Sequence, residues 1–328
     1  MQFINNFRGI AILLVMFVHA ISAVRIGDSV LIGFLAELLQ NSTVLFVLIA
    51  GYLFAFQADN FEYKKFLSNK FFGVVLPYLF ISIPAILLYV LNLKVNHAWI
   101  DIDWLQQLSV IEKFAYFYIT GAHLGPLWFV PMVIIFYLLS PLLVYLQRSR
   151  LLVIVFILSI VPAFIMGRPE FNDNVFISFC YFLPPYLLGM LIVKHDFIYN
   201  NISRFSLLIL LSFIVSYFIF LQFIPEISSS VDLLLKLALA IIVFAFCKEY
   251  FSNKNKWLSM FARLSFFLFF IHGYFSGGIR MSYRILDIQY TGLIPSLLSF
   301  LIIVIMSIIT FIIIKLIFKE RSKLFVGI

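Results

Sequence analysis

Apolar residues run through this chain in ten blocks, near 9–24, 42–58, 71–93, 127–146, 151–166, 175–193, 205–223, 231–247, 264–279 and 294–318, separated by charge, proline, glycine or asparagine. A helix needs ~20 apolar residues to cross the hydrocarbon core of a bilayer. The pattern therefore predicts an all-α, polytopic integral membrane protein with about ten transmembrane helices. Several blocks are shorter than an ideal span, which points to tilt, local thinning or half-helices. The stretch 31–39 is expected either to lie on the surface or to extend the second span. An even number of crossings puts both termini on one side.

Composition sharpens the class. Of the 328 residues 64% are hydrophobic and 12% charged, against ~45–50% and ~25% in soluble domains. An ordinary soluble enzyme is excluded, and little chain is left for a domain outside the membrane, so residues 1–328 read as one membrane domain with no separate soluble domain. The net charge of +8 would suggest nucleic acid in a soluble chain. Here it follows the positive-inside rule: sixteen of the 23 Lys and Arg fall on the N-terminus, alternate loops and the tail, and seven on the intervening loops. Both termini are accordingly expected in the cytoplasm. Arg8 followed by Ala20–Ala23 has the look of a cleavable signal, but nine further spans make a signal anchor the simpler reading. Cys180 and Cys247 sit singly in apolar runs, so neither a disulfide framework nor a metal site is expected.

Against this background a few polar side chains stand out. Arg8 and His19 are eleven residues apart in the first block, three helical turns plus ~20°, so they share one face ~16.5 Å apart along the axis. A cation at the cytoplasmic edge would thus lie below an imidazole deep in the membrane. His272 in the ninth block reaches a similar depth, and two imidazoles at one level could handle a proton near neutral pH. Ionisable groups inside a membrane are functional candidates, although packed core histidines account for such residues too. Lys64, Lys65 and Lys70 lie on the side of Arg8 and either serve topology or, with Arg8, grip a polyphosphate. On the outer side, 94–126 contains Trp99, Asp101, Asp103 and Trp104 and leads into His123 and Trp128. Rings with carboxylates suit a sugar-binding surface, and interface anchoring explains the same tryptophans.

The run Asn6-Phe7-Arg8-Gly9 through His19 resembles the opening signature of the membrane acyltransferase 3 family, whose first span carries Arg-Gly and, eleven residues after the arginine, a histidine. Three further motifs fall in that family's order: Leu45 to Phe54 with Lys70 and Pro77-Tyr78 after it, His123 to Phe129, and Ser265 to His272. The resemblance implies a ten-span enzyme that transfers an acyl group, commonly acetyl from acetyl-CoA, to a hydroxyl of a surface glycan, glycolipid or similar acceptor. It assigns His19 as the essential histidine and Arg8 as the essential arginine. Ala50 departs from the serine usual before Gly-Tyr, and Gly125-Pro126 interrupts the compact His-Leu-Trp-Phe pattern.

These readings combine into a set of expectations. Arg8, with Lys64, Lys65 or Lys70, would hold the CoA phosphates, and His19 would act as general base or carry the acyl group. His272 would orient the acceptor, relay its proton or stabilise the oxyanion. His123, Trp128, Trp99, Trp104, Asp101 and Asp103 would bind the acceptor. The partners would be acyl-CoA, a surface polysaccharide, O-antigen-like glycan or lipid-linked sugar, and the bilayer of a bacterial inner membrane, with no metal and no nucleic acid; homo-oligomers are compatible with this. The rival class is an exporter or flippase of polysaccharide or lipid-linked sugar, which also suits many spans and buried histidines.

Overall fold

The computed structural model describes residues 1–24, 29–94, 99–170, 174–195, 197–224, 226–287 and 291–322. Arg25 and Lys323, two of the cations weighed for sidedness, and His97 of the outer segment lie outside the described residues. The chain forms α1 (Gln2–Ala23), α2 (Val30–Leu39), α3 (Thr43–Phe56), α4 (Tyr63–Lys70), α5 (Leu76–Val90), α6 (Ile102–Gln107), α7 (Val110–Thr120), α8 (Phe129–Leu138), α9 (Ser140–Arg148), α10 (Leu151–Met166), α11 (Val175–Lys194), α12 (Phe197–Ser203), α13 (Ser206–Phe223), α14 (Ser229–Tyr250), α15 (Lys256–Ile285) and α16 (Leu293–Phe318). Among the described residues there is no strand. Among the described residues eight stretches are long and apolar enough to cross a membrane: α1, α2 with α3, α4 with α5, α11, α13, α14, α15 and α16. A ninth is α8 with α9, bent by 60°. The 16 residues of α10 span only ~24 Å, short of a ~30 Å hydrocarbon core. This is a multi-pass membrane fold.

The structure extends the second and third blocks. Residues 30–39 are helical and continue into α3 rather than lying apart, and the third span starts at Tyr63 through one π-helical turn, Phe71–Val75. Each interruption has a chemical cause, because an unpaired backbone group inside a bilayer is costly. Asn41, between α2 and α3, takes a left-handed backbone conformation (φ 61°) that asparagine tolerates better than most residues. Pro141 cannot donate to the Tyr137 carbonyl, and the Ser140 hydroxyl donates to it instead, at 2.6 Å. In α5, Tyr274 from α15 pushes its hydroxyl into the helix ladder beside Pro84. It donates to the Ile81 carbonyl and accepts from the Ala85 N–H at 3.2 Å.

Packing follows from small residues. A Cβ on Gly9 of α1 would overlap the Leu258 carbonyl of α15. One on Gly51 of α3 would strike the Tyr186 carbonyl of α11, and one on Gly189 of α11 the Leu48 carbonyl of α3. Lipid tails are as apolar as leucine, so helices associate in membranes by such close backbone approach. The resulting core is α1, α3, α11 and α15, while α13 and α16 turn Leu208, Leu211, Ile294 and Leu316 outward.

A methyl group at the α3–α11 contact must shift backbone rather than a flexible side chain. Gly51→Ala and Gly189→Ala are expected to cost ~1–3 kcal/mol each by overpacking and to lower the thermal midpoint in detergent. Gly278→Ala, whose added Cβ meets nothing within 4 Å, should leave it unchanged or raise it slightly. Size-exclusion thermal scans of the three variants check this contrast.

Candidate functional site

The site grows from the first residues of α1. The Asn6 carboxamide is buried and donates to the carbonyls of Phe251 and Asn253 at 2.7 and 2.8 Å, tying α1 to the loop before α15. Gln2 adds a bond to the Ser259 hydroxyl at 2.9 Å. Gly9 then lets α15 close on α1. Held so, Arg8 extends across the contact and donates to the Ser265 hydroxyl at 3.0 Å. Further along the same pair of helices the His19 and His272 rings meet, with centroids 4.9 Å apart. The side chain of Arg8 shortens the distance read from the sequence: its guanidinium sits at Ser265, only seven residues or ~10.5 Å along α15 from His272.

The two histidines differ. His272 is fully buried and its Nδ1 lies 2.8 Å from the Leu268 carbonyl. A carbonyl only accepts, so in the neutral ring Nδ1 carries the proton and Nε2 presents a lone pair. That Nε2 is buried without a hydrogen-bond partner, a state that calls for an explanation in so apolar a place. His19 is partly exposed and lies in the last turns of α1, toward its Ala23 end.

Below the histidines a cavity of about 500 Å³ opens between α1, α3, α4, α8 and α15, within the ~300–1,000 Å³ range of small-molecule sites. Arg8, Lys65 and Lys70 line it together with Glu62, Gln57, Asn60 and Asn69. Lys70 is steadied by the rings of Phe66 and Tyr137, at 5.3 and 5.4 Å. Lys64 is exposed and does not line the cavity. Ala50, where the family resemblance leads one to expect serine, forms part of the wall. Phe46, Phe129 and Phe269 add aromatic rings to its lining.

On the other side the turn between α7 and α8 covers α15. Pro126 and Leu124 lie where a side chain at Gly273 would go, one residue from His272. The Gly125-Pro126 interruption therefore supplies the contact that seats this turn. His123 is only 1% exposed, between the rings of Phe117 and Tyr78 at 5.6 and 6.1 Å. Trp128 is 6% exposed, stacked on Phe182 at 5.4 Å with the Arg168 guanidinium 5.3 Å from its ring. Arg168 in turn donates to the Asn41 side chain, which also binds Tyr181 and Asp232. Asp232 pairs with Lys236 at 3.5 Å, and Lys236 donates to the last carbonyls of α2, Glu37 and Leu38, at 2.7 Å each.

The remaining sequence candidates stand apart from this axis. Trp99 packs on a small second core with Ile86, Tyr89 and Phe117, and Trp104 meets the Tyr116 ring at 5.1 Å. Asp101 caps α6 by accepting from the Trp104 N–H, and Asp103 is exposed. Sequence reasoning gave no separate role to Asn6, Ser265, Phe269 or Arg168, although the first three lie in the motifs quoted above. Ser265 and Phe269 carried a legible signal, since they share a helix face with His272; Arg168 carried none, being one more loop cation until the fold brings it to Trp128 and Asn41.

His123 gives this region an acid sensitivity. Burial pushes its pKa down to about 3, against the Phe117 carbonyl, which raises it, whereas the unfolded chain titrates near 6.5. Between those values the unfolded state binds the extra proton, so stability falls as pH drops below ~6.5. His123→Leu should flatten that acid limb by on the order of 1 kcal/mol per pH unit, read from thermal midpoints at pH steps from about 7 to 4.

No curated protein and no solved structure matches the chain. A family profile described as an acyltransferase domain matches residues 1–316 of the 328, taking in α1 with Arg8 and His19, the cavity, and α15 with His272. The chain belongs to the acyltransferase 3 family and is a multi-pass membrane acyltransferase.

Proposed function

We propose that the protein is an O-acyltransferase that takes an acyl group, most simply acetyl, from cytoplasmic acyl-CoA and places it on a hydroxyl of a bacterial surface glycan or lipid-linked sugar at the inner membrane. The observation that carries this reading is the two-ended site on one helix pair: a cation-lined cavity at Arg8 and a histidine pair at its far end. Three cations converge on the cavity, Arg8, Lys65 and Lys70, and charge-assisted contacts to phosphate favour such a cluster. The cavity side is taken as cytoplasmic, in keeping with the sixteen-to-seven bias of Lys and Arg. Both termini would then be cytoplasmic as well.

In this mechanism Arg8, Lys65 and Lys70 hold the phosphates, and the wall from Ala50 to Phe269 guides the acyl-bearing arm toward the histidines. His19, the more accessible imidazole, takes the proton from the acceptor hydroxyl. The oxygen bonds to the thioester carbonyl carbon, the carbon–sulfur bond breaks, and the proton passes to the CoA sulfur. His272 in its neutral form offers a lone pair at Nε2 and cannot donate there, which favours a proton relay or a hydrogen bond from the acceptor over oxyanion stabilisation.

Transfer of label from acetyl-CoA to glycan in membranes tests the reading. His19→Ala should lower transfer at least ~100-fold, the usual share of a general base; full activity would remove His19 from catalysis. Lys65→Met and Lys70→Met should raise KM for acetyl-CoA with kcat little changed, and Lys64→Met should change neither. Label that crosses the membrane as intact glycan, without new acyl groups, would instead favour an exporter.

A further inference from the structure

Ser265, Phe269 and His272 occupy positions 0, 4 and 7 of one stretch of α15, so they fall within ~60° of one another around the helix. Along that stripe the Arg8 bond comes first, at Ser265, and the contact with His19 last, at His272. Phe269 stands between them. It lines the cavity with Ser265 and Phe266, whereas His272 does not. The His272 ring lies 5.8 Å from the Phe269 ring. Phe129 from α8 and Phe46 from α3 press on the same ring, at 5.0 and 6.3 Å. Phe269 thus touches both the cavity and the His272 ring, in a cluster of three rings from three helices.

Resting on the acyl-transfer reading above, we propose that Phe269, backed by Phe46 and Phe129, is the specificity-determining residue for the acyl group and restricts the donor to short chains. An acyl group bound for the histidines has to pass or replace part of the Phe269 ring. An acetyl group needs room for one methyl. Each further methylene has to be accommodated among three rings that leave Phe269 and Phe129 only 5% and 6% exposed, and interiors packed at crystal-like density yield little space. An apolar pocket discriminates one methylene by ~10–200-fold, so a cluster of this kind is enough to select acetyl over butyryl or hexanoyl donors without any polar contact to the chain.

The test uses the full chain in native membranes with labelled acetyl-, butyryl- and hexanoyl-CoA, counting label in the extracted glycan. Wild type should favour acetyl-CoA in kcat/KM. Phe269→Ala should raise the hexanoyl-to-acetyl ratio at least ~10-fold, with Phe269→Leu intermediate and Phe269→Trp shifting the butyryl-to-acetyl ratio the other way. A merely structural Phe269 would lower all donors together and leave the ratios fixed. Unchanged ratios in the Leu and Trp variants, or a wild type that uses hexanoyl-CoA as well as acetyl-CoA, would overturn the inference while leaving acyl transfer standing. Absence of transfer from every donor in wild type would defeat the parent reading, and the inference with it. If Phe269→Ala does not accumulate, the Leu and Trp variants decide.

Discussion

The arrangement depends on one contact, the backbone approach of α1 to α15 where Gly9 meets the Leu258 carbonyl. Nothing larger than a hydrogen fits there, so the two helices are locked in distance and in register. That register brings Arg8 to Ser265 at one level and His19 to His272 at another. Polar ties reinforce it from below through Asn6 and Gln2. In a bilayer this combination has a clear rationale: burial of apolar surface gives little preference for one helix pairing over another, so close packing and a few directional bonds select it. The Asn-Phe-Arg-Gly stretch is thus a joint, with each polar or small residue in it making a separate contact.

The polar groups of the membrane region divide into two kinds. One kind is satisfied. The Tyr274 hydroxyl bridges the ladder of α5 beside Pro84, Ser140 answers for Pro141, and Asn41, Arg168, Asp232 and Lys236 form a connected network that holds the break between α2 and α3. Such groups maintain a fold whose spans are repeatedly interrupted, and in hydrocarbon each lost partner would be costly. The other kind is left wanting. The bare Nε2 of His272 is fixed in orientation by the Leu268 carbonyl and has no hydrogen-bond partner among the described residues. A fixed, unsatisfied lone pair next to a second imidazole is preorganised for a partner that arrives from outside the fold.

The apolar pattern made the helices and most of their limits legible, because a bilayer imposes a length that charge and proline punctuate. It also made Arg8, His19 and His272 legible, since ionisable groups on one face of a span are conspicuous when only 12% of residues are charged. The helix joins were less so. The joining of α2 to α3 turns on Asn41 binding residues more than a hundred positions away, and no local rule contains that. Composition left the outer tryptophans open between two uses: the same rings and carboxylates that suit a sugar also suit a small core and a helix cap, and Trp99, Trp104 and Asp101 make contacts of the second kind. Arg168 was hidden for the opposite reason, because a loop arginine has no periodicity to betray it.

The position of Phe269 bears on a demand that any two-sided membrane enzyme faces. A path wide enough for a donor on one side and an acceptor on the other would also pass water, and water at a thioester competes with the acceptor hydroxyl. Ions would leak by the same route. Under the proposed reading, an aromatic cluster would serve both constraints at once, since packed rings narrow the route and their faces offer water no strong hydrogen bonds. The polar work is then confined to the two ends, cations on one side and imidazoles on the other, and the only group that needs to pass the cluster is the acyl chain itself. On this argument a small acyl group is a consequence of keeping the membrane sealed: the same packing that narrows the route sets the largest substituent that can be handed through.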